Sequence, residues 1–190
     1  MMRLAVFASG EGSNFEAIVQ ACADGRLDAR VVLMVCDRPG APVVQKAALR
    51  GVESFVFSPR EYACKADYET QILSRLKALD VDLICLAGYM RIVSEVLLRA
   101  YEGRILNIHP SLLPAFKGAR AVEQALEYGV KVFGVTVHYV SAELDSGKII
   151  AQRAFEYEGD SAQQVHALGQ IIEHTLYPEA IQKVINELKQ

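Results

Sequence analysis

LAVFASGEGSNFEAIVQACADG, residues 4–25, reads as a buried strand (4–8), a glycine-bearing turn (9–14) and a helix (15–25). An unbroken apolar run followed at once by a turn and a helix is how a βα unit of a parallel sheet begins. The pattern then repeats. RVVLMVC (30–36) is a second strand, DRPGAP (37–42) a loop, VVQKAALRG (43–51) a helix and ESFVF (53–57) a third strand. YETQILSRLKAL (68–79) has helical periodicity, and VDLICLA (81–87) is a fourth strand running into the loop GYMRI (88–92).

SEVLLRAY (94–101) is a short helix with Ser94 as its expected N-cap, and RILNI (104–108) is the fifth strand. AVEQALEYG (121–129) is a helix that Gly129 ends. VFGVTVHYV (132–140) and KIIAQRAFEY (148–157) flank LDSG (144–147) and are expected to pair as a hairpin-like extension. A long amphipathic helix follows from about Ser161, with Pro178 as the expected site of a kink. The βαβα opening predicts an α/β, Rossmann-like, three-layer fold. Its sheet is mostly parallel, mixed at the C-terminal end, with helices on both faces.

The 190 residues suit one domain, and 52% hydrophobic with 23% charged residues allows a substantial core. A net charge of −3 speaks against broad nucleic-acid binding. Cys22, Cys36, Cys64 and Cys85 are scattered and form no CxxC, so they read as reduced packing residues of a cytosolic protein. The apolar run at the N-terminus is too short for a signal peptide or a membrane span.

SGEGSN (9–14) stands where a phosphate-binding loop belongs, between first strand and first helix. Glycines let the backbone approach an anion, and free N–H groups with the helix dipole favour negative charge. The match to GxGxxG is partial, since Phe15 occupies the third glycine's place, and there is no GK[ST]. Asp37 at the end of the second strand keeps a dinucleotide-ribose reading open, and a plain tight turn is the bland alternative.

NIHPSLLPAFKG (107–118) carries the chemistry. Strand alternation points Asn107 and His109 to one side and Ile108 to the other. Asp145 lies in the polar turn after a strand able to neighbour this one. An Asn amide and a protonated His are both donors and can stabilise an oxyanion, which describes acyl transfer without an enzyme nucleophile. His138, His166 and His174 read first as structural. Serine-nucleophile and zinc chemistry fit poorly, for there is no GxSxG, no HExxH and no Cys/His cluster.

SGEGSN, GYMRI, NIHPSLLP (107–114), GVTVHYVSAELDSGKIIAQ (134–152) and EHTLYP (173–178), in that order, resemble the phosphoribosylglycinamide formyltransferases, a branch of the folate-dependent formyltransferases. The resemblance spans nearly the whole chain. It implies transfer of a formyl group from the co-substrate 10-formyltetrahydrofolate to the amine of 5'-phosphoribosylglycinamide, in de novo purine (IMP) biosynthesis, with no metal. It implies Asn107 and His109 at the formyl oxygen, His109 as proton donor, and Asp145 tuning His109 and relaying a proton. Gly12, Ser13, Asn14 and Glu173 match ribonucleotide-binding positions. Met90, Arg91, Ile92 and Val93 match the loop lining the pterin pocket, which Ser141, Leu144 and the rest of the 141–145 turn close together with Asn107. Lys65 matches a basic residue for the folate's acidic tail, or is a solvated surface charge.

Residues 1–100 are then the ribonucleotide half and 101–190 the catalytic and folate half of a single formyltransferase domain. The implied partners are small molecules, not nucleic acid or membrane, for a cytoplasmic monomer or homodimer. Two departures stand out. FKGAR (116–120) puts Lys117 and Arg120 where relatives often carry Pro and His, and QIIEHTLYP (170–178) lacks a basic residue. A methionyl-tRNA formyltransferase is expected to carry a further RNA-binding domain, and a formyltetrahydrofolate hydrolase an N-terminal regulatory one. A nucleotide sensor that keeps the fold without the chemistry is the rival from another class.

Overall fold

Leu4, Ala5, Val6 and Phe7 have no exposed surface, because β1 (Met2–Phe7) is the middle of a sheet and is hydrogen-bonded on both sides. The computed structural model describes residues 1–189. Beside β1 run β2 (Ala29–Cys36) and β4 (Leu83–Leu86), both parallel to it. β3 (Glu53–Val56) extends the sheet beyond β2, and β5 (Ile105–His109) extends it beyond β4, again in parallel. β6 (Val132–Tyr139) is antiparallel to β5, and β7 (Ile149–Glu156) is antiparallel to β6. The order is β3-β2-β1-β4-β5-β6-β7, the mixed sheet the sequence predicts.

Alternation sorts the strands' side chains into two layers. Leu4 and Val6 pack with Phe15, Ile18 and Ala21 of α1 (Ser13–Ala23) and with Tyr177, Ile181 and Val184 of α6 (Ala162–Leu188). Ala5 and Phe7 pack with Tyr68, Ile72 and Leu76 of α3 (Lys65–Ala78) and Leu97 of α4 (Glu95–Ala100). The remaining described α-helices are α2 (Pro42–Leu49) and α5 (Ala121–Tyr128), and a 3-10 turn spans Pro59–Glu61. Strand order reverses direction between β1 and β4, and such a switch point opens a crevice at the carboxyl ends of the strands.

Several element ends differ from expectation. α1 begins at Ser13, not 15, because Gly12 takes the left-handed cap conformation (φ 72°, ψ 30°) and turns the chain directly into the helix. α3 begins at Lys65, not 68, because Cys64 and the Asp67 carboxylate cap it reciprocally. Ser94 is the N-cap of α4, but its hydroxyl makes no cap bond and goes to Glu69 instead. α6 runs from Ala162 to Leu188 with the buried Pro178 inside it, and Ser161 caps it through the Gln164 N–H. Gly129 ends α5 as expected.

Candidate active site at the carboxyl ends of the strands

Leu106 and Ile108 pack in the α1/α6 layer and Ile105 in the α3/α4 layer, so alternation leaves Asn107 and His109 facing the latter side. Directly opposite Asn107 on the neighbouring strand is His138. Its Nδ1–H donates to the Tyr139 carbonyl at 2.9 Å, so Nε2 presents a lone pair, which accepts from the Asn107 amide at 3.2 Å. Burial holds the His138 pKa below its ordinary value, against the raising effects of the carbonyl contact and of Asp145. The 3.7 Å separation between His138 Nε2 and Asp145 Oδ1 is therefore proximity of a neutral ring to a carboxylate, not an ion pair.

His109 has the opposite pattern. Its Nε2–H donates to the Phe116 carbonyl at 2.9 Å, and Nδ1 faces Asp145 Oδ2 at 3.5 Å. Both ring nitrogens face oxygen acceptors, an arrangement in which an imidazolium has a donor for each. Asp145 reaches this point because the 141–147 turn folds back tightly. A Cβ at Gly147 would overlap the Tyr139 carbonyl. Asp145 itself takes a left-handed conformation (φ 48°) and accepts a further bond from the Gly118 N–H at 2.8 Å. The 116–118 segment thus contacts both members of the pair. Lys117 bonds Ser146 and stands 3.6 Å from Glu143, while Arg120 faces outward, 3.7 Å from Glu127. Ser141 bonds the Glu143 carbonyl, and Leu144 is half exposed.

At the start of α1, Gly12 is the N-cap and no side chain caps the first-turn N–H groups, which lack partners within the helix. Ser13 Oγ accepts from Gln170 at 2.8 Å, leaving its own hydrogen to donate. Asn14 Nδ2 donates to Glu173 at 2.7 Å, whereas its Oδ1 is buried and has no partner among the described residues. Glu173 and Pro110, the residue after His109, line one depression. Gly12, Ser13 and Asn14 are consecutive at the start of α1, and the Asn14 bond joins Glu173 of α6 to them.

Lys65 Nζ donates to the Ile92 carbonyl at 2.8 Å, so Lys65 adjoins the 90–93 loop. Met90 and Ile92 are 64% and 62% exposed, and Val93 is buried. Arg91 turns back to Asp37 at 2.8 Å, a contact that raises its pKa. Asp37 is fully buried, with one oxygen on Arg91 and the other on the Ser9 hydroxyl. With its side chain fully buried and both oxygens engaged, Asp37 presents no exposed carboxylate to a ribose, which speaks against the dinucleotide reading.

Sequence reasoning read His138 as structural and singled out neither Gln170 nor Glu69. His138 carries one partial signal, its place on the strand expected to neighbour β5, where register sets it opposite Asn107. Gln170 and Glu69 carry none, because their partners lie 157 and 25 residues away. No group of three or more His, Cys, Asp or Glu able to hold a metal ion occurs among the described residues.

The sequence profile of a formyl transferase family matches residues 2–181. The chain is 48% identical over 186 residues to the phosphoribosylglycinamide formyltransferase of Bacillus subtilis (strain 168), covering 97% of this chain and 95% of that protein. The crystal structure of glycinamide ribonucleotide transformylase 1 from Geobacillus kaustophilus superposes with a TM-score of 0.94 at 52% identity, covering 97% of this chain and 98% of that one. Phosphoribosylglycinamide formyltransferase from Bacillus halodurans gives 0.93 at 46% identity, over 96% and 95%.

Proposed function

We propose, from the premise that this chain belongs to the formyl transferase family, that it moves the formyl group of 10-formyltetrahydrofolate to the amine of 5'-phosphoribosylglycinamide. The products are N-formyl-phosphoribosylglycinamide and tetrahydrofolate, in purine (IMP) synthesis. The observation that carries the reading is the convergence of Asn107, His109 and Asp145, with Nδ1 of His109 3.5 Å from the carboxylate.

The glycinamide amine attacks the formyl carbon, and the carbonyl oxygen gains negative charge. Asn107 keeps one amide N–H on His138 and directs the second to that oxygen. His109 supplies the other donor by exchanging the Phe116 carbonyl for the oxyanion. As the tetrahedral adduct collapses, the bond to the folate nitrogen breaks. The amine loses one proton and the folate nitrogen gains one, with Asp145 relaying it. Gly12 and Ser13 receive the phosphate, and Asn14 with Glu173 receives the sugar or glycinamide part. The buried, unpartnered Oδ1 of Asn14 suits a ligand N–H or O–H. Met90, Arg91, Ile92 and Val93 line the pterin side with Asn107, Ser141 and Leu144, and Lys65 meets the folate's acidic tail. The ribonucleotide residues come from both halves of the chain, 1–100 and 101–190. No described helix is long and apolar enough to cross a membrane. We read the protein as a cytoplasmic monomer or homodimer acting on small molecules.

The test is a two-substrate assay on the purified chain. Formylated ribonucleotide should form only when 10-formyltetrahydrofolate is supplied, and His109→Ala should reduce turnover by about 10²–10³. A folded wild-type sample with no turnover removes the reading, and an unimpaired His109→Ala removes that residue's role.

A further inference from the structure

We propose that two buried carboxylates, Asp37 and Glu69, are positioning residues that clamp the 88–94 loop in the shape that receives the formyl donor. The proposal rests on the reading above that this loop faces the donor. Asp37 holds the loop's start. Ser9 N–H donates to the Gly88 carbonyl at 3.1 Å, and Met90 N–H donates to Ser9 Oγ at 2.8 Å. The Ser9 hydroxyl donates to Asp37 Oδ1, and Arg91 Nε donates to Oδ2 at 2.8 Å. Glu69, on α3, holds the loop's end. Its two oxygens accept from the Ser94 N–H at 2.9 and 3.3 Å, and one of them also accepts from the Ser94 hydroxyl. Both residues are 2% exposed.

A carboxylate withdrawn from water is costly unless donors surround it. Among the described residues, the side-chain donors to Asp37 come from this loop or from the Ser9 side chain that holds it, and the Ser94 donors are Glu69's bonds to the loop's end. The charges therefore act on the loop from both ends. Between them Met90 and Ile92 remain exposed on a held backbone, so a ligand meets apolar side chains carried by a loop whose backbone ordering cost is already met by the fold.

The experiment measures titration of tetrahydrofolate and of glycinamide ribonucleotide into the full chain and its Asp37→Asn and Glu69→Gln variants, alongside KM and kcat. Each amide turns an N–H toward a donor where the carboxylate accepted. Tetrahydrofolate affinity should fall about tenfold and donor KM should rise to match, while ribonucleotide affinity shifts less than about twofold. Ser9→Ala removes a single hydroxyl and should reproduce the same split if Asp37→Asn yields no folded protein. Equal losses for both ligands, or unchanged tetrahydrofolate affinity in the folded variants, overturns the clamp. Failure of the wild-type chain to bind tetrahydrofolate instead overturns the functional reading and the clamp with it.

Discussion

His138 and His109 lie on adjacent strands and are set in opposite hydrogen-bonding states by one backbone carbonyl each. Tyr139 O fixes the Nδ1–H form of His138, and its Nε2 then orients the Asn107 amide. Phe116 O and Asp145 give His109 two acceptors. The buried His138 resists protonation, chiefly through desolvation. The sign follows from linkage: the unfolded chain takes up the proton near the ordinary value of 6.5 and the folded chain does so only at lower pH. Stability from keeping His138 neutral is whole above that value and declines as pH falls through it toward the folded value. His138→Gln, which keeps an acceptor for Asn107, should show a shallower loss of Tm between about pH 7 and pH 5 than the wild type. Superimposable profiles would refute the assignment.

At the scale of elements, the start of α1 concentrates the ribonucleotide contacts. A Cβ at Gly12 would stand 2.5 Å from Val43 Cγ2 and 3.2 Å from Val43 Cα, and the backbone there is left-handed. Gly12→Ala should lower stability by roughly 1–3 kcal/mol through strain and overpacking. It should also weaken ribonucleotide binding more than tetrahydrofolate binding, since the displaced N–H groups serve only the former. Calorimetric titration with each ligand decides this, and matched losses would argue against a phosphate loop. Element type was readable from periodicity for the strands and α-helices but not for the 3-10 turn Pro59–Glu61, and the starts of α4, α5 and α6 were readable whereas those of α1 and α3 were not. Cys64 as a cap and Ser94 as a partner of Glu69 depend on side chains that meet only after packing.

Across the whole molecule, α6 ties the sheet's centre to its antiparallel side. Tyr177 is fully buried, and its hydroxyl lies 2.9 Å from the Leu86 carbonyl and 3.2 Å from that of Leu106, the residue before Asn107. Burial pushes its pKa far up, so the group stays a donor. Tyr177→Phe deletes that donor with little change in volume and should cost about 1–2 kcal/mol in urea unfolding. An unchanged midpoint would show that the contact contributes nothing. The expected late hairpin is present as β6 and β7 and helices cover both faces as expected, but which helices share a face, α1 with α6 and α3 with α4, is set by packing.

Local order in the chain determined the strands, the helices, the parallel opening of the sheet and the shared face of Asn107 and His109, because alternation and periodicity are properties of neighbours. Only tertiary structure decided which carboxylate meets which imidazole, that His138 is neutral, and that Asp37 is occupied by Ser9 and Arg91. Many of the contacts that decide these points join residues far apart, such as Ser9 with Asp37, 28 residues apart, and Asn14 with Glu173, 159 apart, and that proximity has no signature in the spacing of residues along the chain.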